Sequence, residues 1–232
     1  MTRNSFVYGI ASVIAAFVLG CAATQQVVVK KEEVKCGFLG SDCAKLTAGA
    51  KGQAALRYIN TTASWTQYDK ILVESVTFWG TDTTKVSAAD QQALTDYFYQ
   101  MLREEFGKKF QLVDQAGPGV MKLQVALTDA EGATPGLRTI STIVPTARAV
   151  NALKYAATGT YSFVGGAQAE AKLTDATTGE LLGEWIDRRV GGGSLEAAAQ
   201  WKWGDAENAM KSWATQLAER LSSWTSGMAT PS

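Results

Sequence analysis

Residues 87–107 read Ser-Ala-Ala-Asp-Gln-Gln-Ala-Leu-Thr-Asp-Tyr-Phe-Tyr-Gln-Met-Leu-Arg-Glu-Glu-Phe-Gly. Ser87 with Asp90 on the first turn is a capping-box-like helix start. Leu94, Tyr97, Phe98, Met101 and Leu102 then recur at helical spacing, while Gln91, Asp96, Gln100, Arg103 and Glu104 lie largely off that face. A helix with one apolar stripe needs a surface to cover, and the flanking segments supply strands. Residues 70–79, Lys-Ile-Leu-Val-Glu-Ser-Val-Thr-Phe-Trp, are β-branched and aromatic and predict the first core strand. Residues 110–113 predict a short strand, and Gly117-Pro118-Gly119 a turn.

Further on, the period changes to two. Met121, Leu123, Val125 and Leu127 alternate with Lys122, Gln124, Ala126 and Thr128. Ala167, Ala169, Ala171 and Leu173 alternate with Gln168, Glu170, Lys172 and Thr174. Asp175-Ala176-Thr177-Thr178-Gly179 then predicts a hairpin turn, with glycine where φ is positive. Residues 181–190 return as the partner strand. Inward alanines imply that something bulky packs over them. Residues 140–157, rich in small side chains, predict a helix with Pro145 in its first turn. Asp205 is expected to cap a final helix with the stripe Ala206, Met210, Trp213, Leu217, Leu221 and Trp224. The expected fold is α+β: a two-layer sandwich, with a mainly antiparallel sheet of four to five strands and two long amphipathic helices on one face.

The N-terminal end predicts placement. After Met1-Thr2-Arg3-Asn4, an uncharged run covers residues 6–20, the length of a signal-peptide core and too short to cross a bilayer. It ends Val18-Leu19-Gly20-Cys21, which resembles the bacterial lipobox. The expectation is a lipoprotein precursor: signal peptide 1–20, then lipid (palmitate included) on Cys21. Ala22 after the cysteine, in place of Asp, favours sorting to the outer membrane, facing the periplasm. Residues 21–35 are expected to form a flexible tether, with residues 27–29 as an alternative edge strand. One domain is expected over residues 36–226, and a frayed tail over 227–232.

The 232-residue chain has 22 basic and 22 acidic residues. Without Arg3 the mature part has a formal charge of −1. No basic excess is available for nucleic acid. There is no histidine, which removes Ser-His-Asp and Cys-His arrangements, His-based zinc sites and the usual general base near neutral pH. A non-enzyme with no metal and no cofactor is expected. In an oxidising envelope, Cys36 and Cys43 read as a disulfide closing a short loop, in which Phe38 and Leu39 are plugs. A reactive or metal-binding pair is the other reading, and six intervening residues fit neither a redox pair nor a zinc knuckle.

Gly165-Gly166 and Gly191-Gly192-Gly193 lack the Gly-Lys-Ser/Thr ending of a phosphate loop. Asp129, Glu131, Asp175, Glu180, Glu184 and Asp187 could pair as hydrolytic carboxylates, though solvated strand faces explain them equally well. Arg188 and Arg189 cannot face one side of a regular strand, so one marks a binding edge or pairs with an inward carboxylate. Trp65, Trp79, Trp185, Trp213 and Trp224 fall where core contacts are expected. Trp201 and Trp203 flank Lys202 before the last helix and form the candidate interface; a hydrophobic staple on the helix start is the alternative.

Several stretches together resemble one family: Cys-Gly-Phe-Leu-Gly at 36–40, Tyr-Asp-Lys-Ile-Leu-Val-Glu-Ser-Val-Thr-Phe-Trp at 68–79, Asp-Tyr-Phe-Tyr at 96–99, Ala-Leu-Thr-Asp-Ala at 126–130, Ile-Val-Pro-Thr-Ala-Arg at 143–148, Asp-Ala-Thr-Thr-Gly-Glu-Leu-Leu at 175–182 and Asp-Arg-Arg-Val-Gly-Gly at 187–192. They resemble the bacterial envelope lipoproteins called domain of unknown function 3313, over nearly all of the mature chain. The resemblance implies an envelope lipoprotein and no reaction. It departs at Cys36 and Cys43, which makes their pairing a local addition. The functional expectation is a lipid-anchored, non-catalytic adaptor or assembly factor that binds an envelope protein; the alternative is a binder of a small molecule, lipid or cell-wall glycan.

Overall fold

The structure is a computed structural model that describes residues 24–80, 86–133, 154, 164–192 and 202–231. The fold is α+β. Nine strands form one mixed sheet: β1 Thr24–Val27, β2 Thr47–Ala48, β3 Leu56–Ile59, β4 Lys70–Val73, β5 Thr77–Phe78, β6 Gln111–Leu112, β7 Val120–Glu131, β8 Gly166–Asp175 and β9 Leu181–Gly191. Seven of them run in the order β2-β3-β9-β8-β7-β4-β6, with β1 paired to β9 and β5 to β7.

The sheet is therefore larger than the four to five strands expected, and mixed rather than mainly antiparallel. The β3-β9-β8-β7 half is antiparallel, but β4, β5 and β6 join in parallel. The reason is the helix α1, Ala88–Gly107, which carries the chain from β5 back to β6 beside β4. A helical crossover returns the chain in the same direction. Residues 70–79 are also two strands instead of one. Lys70 pairs with Val120 and Thr77 with Ala126, so one extra residue bulges out between the two pairings.

Ser87 caps α1: its hydroxyl accepts from the Asp90 N–H at 3.1 Å. The second helix, α2, spans Gly204–Thr225. Its flanking residue is Trp203, not Asp205. Asp205 is fully buried in the first turn, and its carboxylate accepts from the Gly165 N–H at 2.8 Å. The innermost positions of α2 are Ala206, Ala209, Ala214 and Ala218, with Met210, Leu221 and Trp224. Trp213 and Leu217, expected in the stripe, are only partly buried. Alanines let α2 lie close to the alanine row of β8.

The main core lies between these helices and one face of the sheet, with Phe98, Leu102 and Phe106 of α1 against Met121, Leu123, Val125 and Leu127 of β7. A second, smaller core lies on the opposite face. There Leu39, Cys43 and Leu46 pack on Leu56 and Ile186. Cys36 and Cys43 are joined as a disulfide, with Cα atoms 5.9 Å apart. Leu39 is the buried plug expected, while Phe38 is only partly buried.

Two terminal expectations are corrected. Residues 24–27, placed in a flexible tether, form β1 and pair with 188–191 of β9. The edge strand thus begins three residues earlier than the alternative at 27–29. The tail is not frayed at its start: the Ala229 N–H donates to the Ser223 carbonyl. Cys21, Trp201 and all of the helix expected over residues 140–157 except Lys154 lie outside the described residues. No helix among the described residues is long and apolar enough to cross a membrane.

Candidate functional site

A β-bulge decides which side chains meet. Along β7, Leu127 pairs with Ala169 but Asp129 with Gln168, so Thr128 is the extra residue. An inserted residue flips every following side chain to the other face. Ala130 therefore continues the apolar row, while Asp129 and Glu131 turn away from the helices. Across β8 they meet Arg188 of β9. Its guanidinium donates to Asp129 Oδ2 at 2.7 Å and to Glu131 Oε1 at 2.6 Å. Burial opposes the charge on Arg188, but the two carboxylates outweigh it and hold the proton more firmly than usual.

This cluster forms one wall of an open cleft of about 810 Å³ on the face opposite the helices. The other wall is Glu33 and Lys35, just before the disulfide loop, with Gly37 and Phe38 inside it. Trp79, at the end of β5, stands between them and is 50% exposed. Its ring meets Phe38 edge to face at 5.8 Å. Its Nε1–H donates to Thr77 Oγ1 at 3.0 Å, which fixes the ring's direction. Gly37 lies against the same ring. At the floor, buried Glu170 accepts from the Leu39 N–H at 3.3 Å. Burial raises the Glu170 pKa, and the N–H groups of Leu39 and Phe38 oppose that shift.

The two arginines part as strand geometry requires. Arg188 faces the cleft. Arg189 faces the helices and pairs with Asp187 at 3.2 Å. Asp187 is a buried junction, accepting also from Ala55 N–H, Gln26 Nε2 and Trp213 Nε1. Trp203 borders the cleft but is not the exposed aromatic expected. It is 2% exposed, and the Lys202 ammonium lies 4.5 Å above its ring. The exposed aromatic is Trp79, which the strand pattern placed among core contacts. Its signal is its position between the end of a strand and Gly80, where a side chain can clear the sheet edge.

Of the carboxylates named as candidates, Asp129 and Glu131 share the cleft and are both bound to Arg188. Asp175 holds the β8–β9 turn, accepting from the Thr177 and Thr178 N–H groups and the Tyr68 hydroxyl. Gly165 and Gly166 are packing positions: a Cβ there would fall 2.5 Å from backbone oxygens. Among the described residues, no group of three or more His, Cys, Asp or Glu could hold a metal.

No curated protein matches the chain. A PelC dodecamer structure from Paraburkholderia phytofirmans is similar at 10% identity, covering 69% of this chain and 95% of that one, with a TM-score of 0.37. A protein of the DUF330 family from Xanthomonas campestris is similar at 13% identity, covering 72% and 92%, with a TM-score of 0.38. A family model matches residues 35–217. The chain belongs to the family described as Protein of unknown function (DUF3313).

Proposed function

We propose that this chain is a lipid-anchored envelope lipoprotein, held to the outer membrane through Cys21 and facing the periplasm, whose domain is a non-catalytic adaptor for an envelope protein. The observation that supports the adaptor reading is the half-exposed Trp79 ring, seated on Phe38 beside the Arg188 cluster. Protein interfaces centre on rigid aromatic and arginine side chains ringed by polar groups. Covering the remaining face of Trp79 removes roughly 100 Å² from water, a gain of about 2.5 kcal/mol. The occupant that fits is a protein segment with an apolar side chain over Trp79 and mixed charges along Lys35, Glu33 and Lys202.

Chemical crosslinking in cells followed by affinity capture tests this reading. The native chain should carry one envelope protein that Trp79→Ala loses and Arg220→Gln, altered on the helix side, keeps. A chain that captures no envelope protein would overturn the reading. The anchor has its own test: Cys21→Ser should release the chain from the membrane fraction and remove the lipid mass from its N-terminal peptide. Continued membrane association with no lipid adduct would refute the anchor.

A further inference from the structure

Beneath the disulfide-closed loop, on the face opposite the helices, lies a carboxyl group with no hydrogen bond. Glu184 of β9 is fully buried, and neither of its side-chain oxygens has a hydrogen-bond partner among the described residues. An ionised carboxylate without donors is strongly disfavoured in an interior, so such a group keeps its proton. Within the sheet, Glu184 lies between Lys172 of β8 and Tyr58 of β3. From the loop segment Gly40–Lys45, Asp42 and Lys45 complete its charged surroundings. Burial, above all, pushes its pKa up to about 7; Lys172 and Lys45 pull it down, and Asp42 pushes it up.

One ammonium serves two carboxylates here. Lys172 Nζ is 2.6 Å from Asp42 Oδ2 and 3.7 Å from Glu184 Oε1, so it is committed to Asp42. Its hydrogen bond is the main reason why the Asp42 pKa is lowered. The loop that Asp42 ties down also builds a wall of the Trp79 cleft. Cys43, next to Asp42, is bonded to Cys36, and the Gly40 N–H donates to the Cys36 carbonyl at 2.9 Å. Phe38, inside that closed ring, meets the Trp79 ring edge to face. A displacement at Asp42 is therefore carried to Phe38 through a covalent ring, not absorbed by a free chain.

We propose that Glu184 is a proton-operated latch on the disulfide loop. Protonated, it leaves Lys172 to hold Asp42, and the loop seats Phe38 against Trp79. Ionised, its proton lost to solvent, it draws Lys172 from Asp42, repels Asp42 and loosens that wall of the cleft. The seated loop keeps Glu184 neutral and the loosened loop lets water reach it, so rising pH favours the loosened form until the buried carboxyl itself ionises. The movement needs no partner; its effect on docking rests on the adaptor reading.

Fluorine NMR of the purified chain labelled with 5-fluorotryptophan tests this, the Trp79 signal being the one lost in Trp79→Phe. That signal should titrate with a midpoint near the buried value of about 7. Amide exchange at Gly40 and Leu46, corrected for its intrinsic pH dependence, should quicken about tenfold between about pH 5 and about pH 8. Glu184→Gln should hold the Trp79 signal at its low-pH position and flatten the exchange. Lys172→Met, which unties Asp42, should move the signal towards its high-pH position already at about pH 5. A Trp79 signal that does not titrate, that titrates alike in Glu184→Gln, or that Lys172→Met leaves unmoved would overturn the proposal. These readings use the chain alone, so a failure to capture an envelope protein would refute the docking reading without bearing on the latch.

Discussion

A methyl group at residue 191 has nowhere to go: a Cβ there would sit 2.2 Å from Asp205 Oδ1. Gly191→Ala should therefore cost about 2 kcal/mol or more in chemical denaturation. Gly179→Ala, at φ +75° but in open space, should cost only about 1–2 kcal/mol. Equal losses would mean that Asp205 yields easily. Glu184 is the other residue whose environment sets a measurable quantity. It is fully buried, with Lys172 3.7 Å away, and burial pushes its pKa up to about 7. A carboxyl whose pKa is raised on folding contributes stability below its unfolded value that is lost as pH rises towards the folded one. Between about pH 4.5 and 7, the native chain should lose up to about 3 kcal/mol that Glu184→Gln does not lose. Parallel pH curves for the two proteins would show that Glu184 is not held neutral. Asp175 has the opposite sign. Burial raises its pKa, but the Thr178 and Thr177 N–H groups and the Tyr68 hydroxyl outweigh that and leave it lowered. Its contribution is present above the ordinary carboxylate range and disappears as pH falls below it.

Among the elements, those with a clean period were legible and those set by neighbours were not. The stripe of α1, the alternation of β7 and β8 and the Asp175–Gly179 turn follow from spacing alone. The short strands β1, β2 and β3 do not, because two to four residues carry no period and their pairing depends on the edge that β9 offers. Parallel addition of β4 to β7 was equally hidden, since direction is decided by the crossover through α1 rather than by either strand. The site was half legible for the same reason. Strand geometry separated Arg188 from Arg189, but strict alternation would send Asp129 and Glu131 towards the helices; only the bulge at Thr128 brings them to Arg188. The disulfide loop is an element with a testable role. Replacing Cys36 and Cys43 with serine should lower stability by about 2–3 kcal/mol on the loop-entropy account. It should also release Phe38 from Trp79, seen as a shift in tryptophan emission. A stability loss with unchanged emission would show that Phe38 is held by packing alone.

At the scale of the molecule, one sheet carries two different surfaces. The helix side is a continuous core. The other side is covered in part by the disulfide loop over the second core and is open at the Trp79 cleft. Because Thr24–Val27 is paired into the sheet, only residues 22 and 23 separate Cys21, the proposed lipid site, from the folded domain. On the proposed lipid anchor, such a short link would hold the domain at the membrane face and limit its partners to those at the same surface. The central claim is that the Trp79 cleft is the docking site. A photo-reactive phenylalanine analogue at position 79, irradiated in living cells, tests it most directly, with the same analogue at the exposed position 216 on the helix side as the control. The account predicts one dominant adduct with an envelope protein from position 79, diminished by Arg188→Ala and absent from position 216. Equal adducts from both positions, or none from position 79, would contradict it.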